Sequence, residues 1–96
     1  MSGVDFLTNT VTVRGKAYLV KEQSGKTMAE VRKLIAQGEG GRVEILMLQR
    51  CCLTPVFATE AEVELLPYYV IDQVSNEINR LTKLAGADAV EAAKNA

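Results

Sequence analysis

The residues best suited to chemistry are two adjacent cysteines, Cys51 and Cys52, and three carboxylates at alternate positions, Glu60, Glu62 and Glu64. A cysteine nucleophile needs a neighbouring base or cation that holds it as thiolate. The chain has no His, and Cys51-Cys52 falls inside an apolar run. Both thiols therefore read as buried small hydrophobes, and a disulfide between such neighbours would be strained. Acid–base work by the glutamates requires two carboxyls in an apolar cleft with separated pKa values. Alternating through one short turn of helix, they read instead as a solvated capping cluster. Ser24-Gly25-Lys26-Thr27 matches the tail of a phosphate-binding loop, but the upstream glycine of that pattern falls at Val20, so the match is fortuitous. The sequence therefore offers no catalytic residues, no cofactor site and no metal-ligand set, and points to a non-enzymatic protein that works through its surfaces.

Ninety-six residues at 48% hydrophobic content make one domain with a small core. No apolar leader follows Met1, and no apolar run approaches the ~18 residues of a membrane helix, so a soluble chain in the cytosol is expected. The net charge of −1 is unevenly spread: Met1 to Arg42 carries seven Lys/Arg against four Asp/Glu, and Val43 to Ala96 four against eight. Neither half has the basic density of a nucleic-acid footprint. A basic front and an acidic back suit head-to-tail stacking of copies.

The elements that position these residues follow from periodicity. Residues 1–8 lack a pattern and read as an arm whose Phe6 and Leu7 can dock on the core. From Asn9 to Val20, polar and apolar residues alternate around Arg14-Gly15, the signature of a β-hairpin. A two-residue loop sets Val11 opposite Tyr18, and a three-residue loop sets it opposite Leu19. Gln23 to Lys26 reads as a polar break. Thr27 with Glu30 then forms a capping box, opening an amphipathic helix with Met28, Val31, Leu34 and Ile35 on one stripe. The glycines from Gly38 to Gly41 close it, and it is expected to lie on the hairpin. Arg42 to Leu53 is apolar at eight of twelve positions and reads as a central helix, stopped by Thr54-Pro55. A strand over Val43 to Leu48 is the alternative. Thr59 with Glu62 opens a short acidic turn, Pro67 starts the last helix, and Val70, Ile71, Val74, Ile78, Leu81 and Ala85 form its buried stripe. Gly86 is expected to end that helix, leaving residues 87–96 as an Ala-rich tail. The fold class is α+β: an N-terminal β-hairpin packed on about four helices, with the single domain spanning residues 9–86.

The binding candidates are the hairpin-tip cations Arg14 and Lys16, Leu46 and Leu48 on the apolar helix, and Tyr68-Tyr69 at the start of the last helix. Tyrosines are enriched at protein interfaces, although core packing is the favoured account of this pair. A helix-turn-helix reading of Thr27 to Leu53 fits in outline, but its second helix lacks the polar and basic residues that read bases.

The order Val11-x-Val13-Arg14-Gly15-Lys16-x-Tyr18-x-Val20, an amphipathic helix, an apolar helix, Thr59-Glu60-x-Glu62 leading to Leu66-Pro67, and Val74-Ser75-Asn76-Glu77-Ile78-Asn79-Arg80-Leu81 resembles the tail assembly chaperones of long-tailed bacteriophages. The resemblance spans Val11 to Leu84 and rests on layout and hydrophobic pattern. It implies a chaperone that coats the tape-measure protein, promotes polymerisation of the tail-tube protein around it, self-associates, acts in the host cytoplasm and is absent from the mature virion. Many such genes also yield a frameshifted longer product. It implies no nucleic-acid or membrane partner. The alternatives are a small DNA-binding transcriptional regulator and another phage structural protein, such as a connector or tail-completion protein.

Overall fold

Arg14 and Gly15 carry φ angles of 52° and 82°, the two positive values that a two-residue hairpin turn requires. That turn joins β1 (Thr8–Val13) to β2 (Lys16–Lys21) in antiparallel register, with Val13 opposite Lys16 and Val11 opposite Tyr18. The two-residue loop is thus the correct choice, and Val13, Tyr18 and Val20 share the buried face. The computed structural model describes residues 5–94. Leu7 of the preceding arm exchanges bonds with Glu22, accepting from its amide at 2.9 Å and donating to its carboxylate at 2.8 Å, and packs against the core.

The first helix, α1 (Gly25–Ala36), begins before Thr27. Ser24 is its N-cap: the backbone there is extended, and the Ser24 hydroxyl accepts from the Thr27 amide at 3.2 Å. The anticipated Thr27–Glu30 box does not form, because Thr27 lies within the first turn and is buried, while the Glu30 carboxylate is taken by Arg50 of the next helix. The C-terminus closes as expected around glycine. Gly38, at φ 76°, donates to Ile35 and Glu39 donates to Leu34, which satisfies the last carbonyls. The expected apolar stripe is only half buried, and Ile35 is 59% exposed. The reason is placement: α1 packs on the flank of α2 (Val43–Cys51), and the helix that covers the hairpin is α4 (Tyr68–Lys94).

A 3-10 turn at Gly40–Arg42 leads into α2. The expected helix from Arg42 to Leu53 is shorter than its composition suggests, since the chain straightens at Cys52 and forms a third strand, β3 (Cys52–Thr54). Thr54 precedes a proline and is held out of the helical region. β2 offers it a free edge, and pairing sets Val20 opposite Cys52 and Leu19 opposite Thr54 across a bulge. The sheet order is β1-β2-β3. The Thr59 capping box forms as expected at α3 (Glu60–Glu64), with the Thr59 hydroxyl and the Glu62 carboxylate each accepting from the other's amide.

The last helix buries Val70, Ile71, Val74, Ile78 and Leu81 against α2 and the inner face of β1 and β2. It runs through Gly86 to Lys94 instead of stopping. One glycine costs a helix interior only about 1 kcal/mol relative to Ala, and the alanines on either side are the best helix formers. With Met47, Leu48, Cys51, Phe57 and Val63, these residues form one core. The mixed α+β class, a hairpin-based sheet followed by four helices, is the architecture observed among the described residues.

Candidate protein-binding surface

The hairpin tip and the first turn of α4 meet at one end of the molecule. Strain-tolerant turn geometry projects Arg14 outward, and its guanidinium carbon lies 5.2 Å from the centroid of the Tyr69 ring. Such a contact fixes the cation against the ring face. Tyr69 and Tyr68 are 51% and 68% exposed. The buried stripe of α4 begins at Val70, so the two preceding residues are turned outward. Leu65, the C-cap of α3, is 86% exposed because its neighbour Leu66 takes the core contact. Tyr68 and Tyr69 thus form an exposed aromatic pair beside a cation, with the exposed Leu65 three residues before them in the chain.

The charges around the cluster are unpaired. Among the described residues neither Arg14 nor Lys16 makes an ion pair. Lys16 lies 5.6 Å over the ring of Tyr18, on its own strand. Sequence reasoning placed Arg14, Lys16, Tyr68 and Tyr69 as candidates, and the fold joins Arg14 to Tyr69. It overlooked Leu65. The available signal was the pair Leu65-Leu66 ahead of Pro67, of which only one can face inward.

The candidates on α2 fare differently. Leu48 has no exposed surface and is a core residue. Leu46 is 5% exposed and lies at the base of a cleft of about 430 Å³ between α1, α2 and α3. The cleft walls carry both signs, and they neutralise each other: Arg42 pairs with Glu60 at 2.6 Å and Arg50 with Glu30 at 2.9 Å. The Arg50 hydrogen bond holds the Glu30 carboxyl below its usual range. These ion pairs are on the surface and contribute little to stability; Lys33 and Glu39, also on the cleft walls, make no ion pair among the described residues. The burial of Leu46, Met47, Leu48 and Cys51 also removes α2 as a recognition helix for DNA.

The groups with chemical potential are accounted for locally. Cys51 and Cys52 are free buried thiols, each pushed up to about 11 by burial. At that value the thiolate fraction near neutral pH is negligible. Glu62 serves the α3 cap and Glu60 holds Arg42. Ser75, buried in α4, donates to the Asp72 carbonyl at 3.0 Å and the Glu44 carboxylate at 3.3 Å, tying α4 to α2. No helix among the described residues is long and apolar enough to cross a membrane.

The fold and surface together define a small α+β protein with an exposed aromatic pair, Tyr68 and Tyr69, beside Arg14. No protein-family model, no curated protein and no solved structure matches the chain.

Proposed function

We propose that this protein is a non-enzymatic tail assembly chaperone that binds the tape-measure protein, promotes tail-tube assembly around it and self-associates in doing so. The observation that carries this reading is the exposed pair Tyr68 and Tyr69 beside Arg14, which makes no ion pair among the described residues, with the exposed Leu65 just before them in the chain. Exposed aromatic residues next to an arginine are the composition of energetic hot spots in protein interfaces. The patch suits a helical client that presents apolar residues along one face, with acidic residues to meet Arg14 and Lys16. The layout of hairpin, helices and acidic cap that carries the phage resemblance supplies the client's identity. On this reading the protein acts in the host cytoplasm and leaves before the virion matures.

The test is affinity purification of the tagged chain from cells expressing its native gene neighbourhood, followed by mass spectrometry. Recovery of the tape-measure protein, or of the tail-tube protein with it, is the expected result. A chain that recovers neither and shifts DNA, with an affinity that falls steeply as salt rises, would make it a regulator instead.

A further inference from the structure

The two edges of the sheet are unlike. β3 is three residues long, is separated from regular pairing by a bulge and runs into Pro55, all features that blunt an edge. β1 has none of them. Its six residues, Thr-Asn-Thr-Val-Thr-Val, carry no charge and no proline, hold an unbroken register with β2, and are rich in β-branched side chains. Such an edge is a template for another strand.

Register determines which backbone groups are free. In an antiparallel ladder directly opposed residues alternate between pairs that exchange both hydrogen bonds and pairs that exchange none. The two-residue turn makes Val13 and Lys16 a bonded pair, so Val11 with Tyr18 and Asn9 with Val20 are bonded too. The bond from the Glu22 amide to the Leu7 carbonyl continues the same alternation. Thr8, Thr10 and Thr12 therefore direct their amides and carbonyls away from β2, and all three have exposed side chains.

We infer that the free edge of β1 is a self-pairing surface, on which a second copy adds its own β1 antiparallel about a two-fold axis at Thr10. The free groups lie symmetrically about that residue. Thr10 faces Thr10, Thr8 faces Thr12, and the ladder continues from one sheet into the next. Cross-strand threonine pairs are favourable. Charge does not oppose the pairing: β1 carries none, and the Arg14-Gly15 turn that follows Val13 lies beyond the ladder, beside the Asp5–Leu7 arm of the other copy. On the inner face, Asn9 donates to Glu77 of α4 at 2.8 Å, which marks the helix face nearest the edge. Leu84, two helical turns beyond Glu77 on that face, is 43% exposed and gains cover from the second copy. The inference gives a surface to the self-association in the reading above and rests on that part of it.

Charge reversal at Thr10 tests the pairing. Sedimentation velocity of the full chain over a concentration series is compared for wild type, Thr10→Lys, Thr10→Glu and an equimolar mixture of the two variants, with thermal melts as the folding control. Wild type is expected to dimerise. Each variant alone opposes like charges on the axis and weakens dimerisation by about fivefold, and the mixture restores it by pairing Lys with Glu. Thr10 is exposed, so every variant is expected to fold cooperatively, its melt lowered only by the weakened dimer and the poorer strand propensity of the new residue. A wild type that stays monomeric at its solubility limit overturns the pairing, as does a dimer indifferent to both charges. Tape-measure capture is scored separately: a monomeric wild type that captures it leaves the proposed function standing without this interface, and a Thr10-sensitive dimer that captures nothing supports the interface and removes the function.

Discussion

Truncating the exposed cluster separates recognition from folding, because Leu65 and Tyr68 have little at stake in the fold. Leu65 is 86% exposed and Tyr68 68% exposed. For side chains of roughly 150 to 200 Å², the remaining buried areas are about 25 and 65 Å², worth together at most about 2 kcal/mol at 25 cal/mol per Å². Compact denatured states reduce that figure further. The Leu65→Ala Tyr68→Ala double variant should therefore fold, with a melt lowered by no more than about 10 °C. In binding the same residues are exposed anchors that a client would desolvate fully. Truncating a central aromatic anchor costs about 2 kcal/mol or more, which is roughly a 30-fold rise in Kd. The assay is isothermal titration of the purified variant with the tape-measure protein, with circular dichroism to verify the fold. A folded double variant that binds within about threefold of wild type would refute the assignment of this patch.

Three further outcomes follow from buried and paired groups. Leu48→Ala removes a side chain with no exposed surface and should cost about 2 to 5 kcal/mol in urea unfolding; a loss under about 1 kcal/mol would mean the site is not packed as described. The Glu77 carboxyl is held below its ordinary value chiefly by the Arg80 hydrogen bond, with the Asn9 amide adding to it. A depressed folded-state pKa stabilises at pH values above the unfolded carboxylate value, and that contribution fades as pH falls through the folded one. Wild type should thus exceed Glu77→Gln in stability at pH 7 and lose the advantage progressively as pH falls below the ordinary carboxylate range; a difference independent of pH would contradict the pairing. Finally, Cys51 and Cys52, each pushed up to about 11 by burial, should resist iodoacetamide at pH 8 in the native protein and react in urea. Rapid native labelling of either would show an exposed thiol.

The parts of the fold legible in the sequence are those encoded locally. The Arg14-Gly15 turn and period-2 alternation specify the hairpin and leave two registers, of which the structure takes that of the two-residue loop; the Thr59–Glu62 box specifies the start of α3, and spacing specifies the buried stripe of α4. What was missed depends on distant partners. β3 is too short for any alternation to be read, and exists because β2 has an open edge. Ser24 and Thr27 can each cap a helix; Thr27 lost the role because Arg50 draws Glu30 away from the box. The sequence favours core packing for the tyrosines, which is incorrect: only the point at which α4 meets the sheet decides that Val70 faces in while Tyr68 and Tyr69 face out. Arg14 and Tyr69 are remote in sequence, so no local pattern announces their contact.

Arg14 belongs to both surfaces, and this has a mechanical consequence. Within one chain it lies against Tyr69 at the edge of the client patch; across the two-fold pairing it follows Val13, which faces Leu7 of the other copy, and so lies beside that copy's arm with Asp5. A group that two binding events share couples them, and the coupling is reciprocal: whatever self-pairing does to client affinity, the client does in equal measure to self-pairing. Arg14→Asn is the informative substitution, since Asn tolerates the positive φ of 52° that the turn imposes while lacking the guanidinium. It should weaken dimerisation and tape-measure binding together, whereas Thr10→Lys should weaken dimerisation and Tyr68→Ala binding as the primary effect. Comparing sedimentation and titration for the three variants decides the matter. An Arg14→Asn protein altered in only one of the two measurements would show that the surfaces are independent, and that the cation at the hairpin tip serves just one of them.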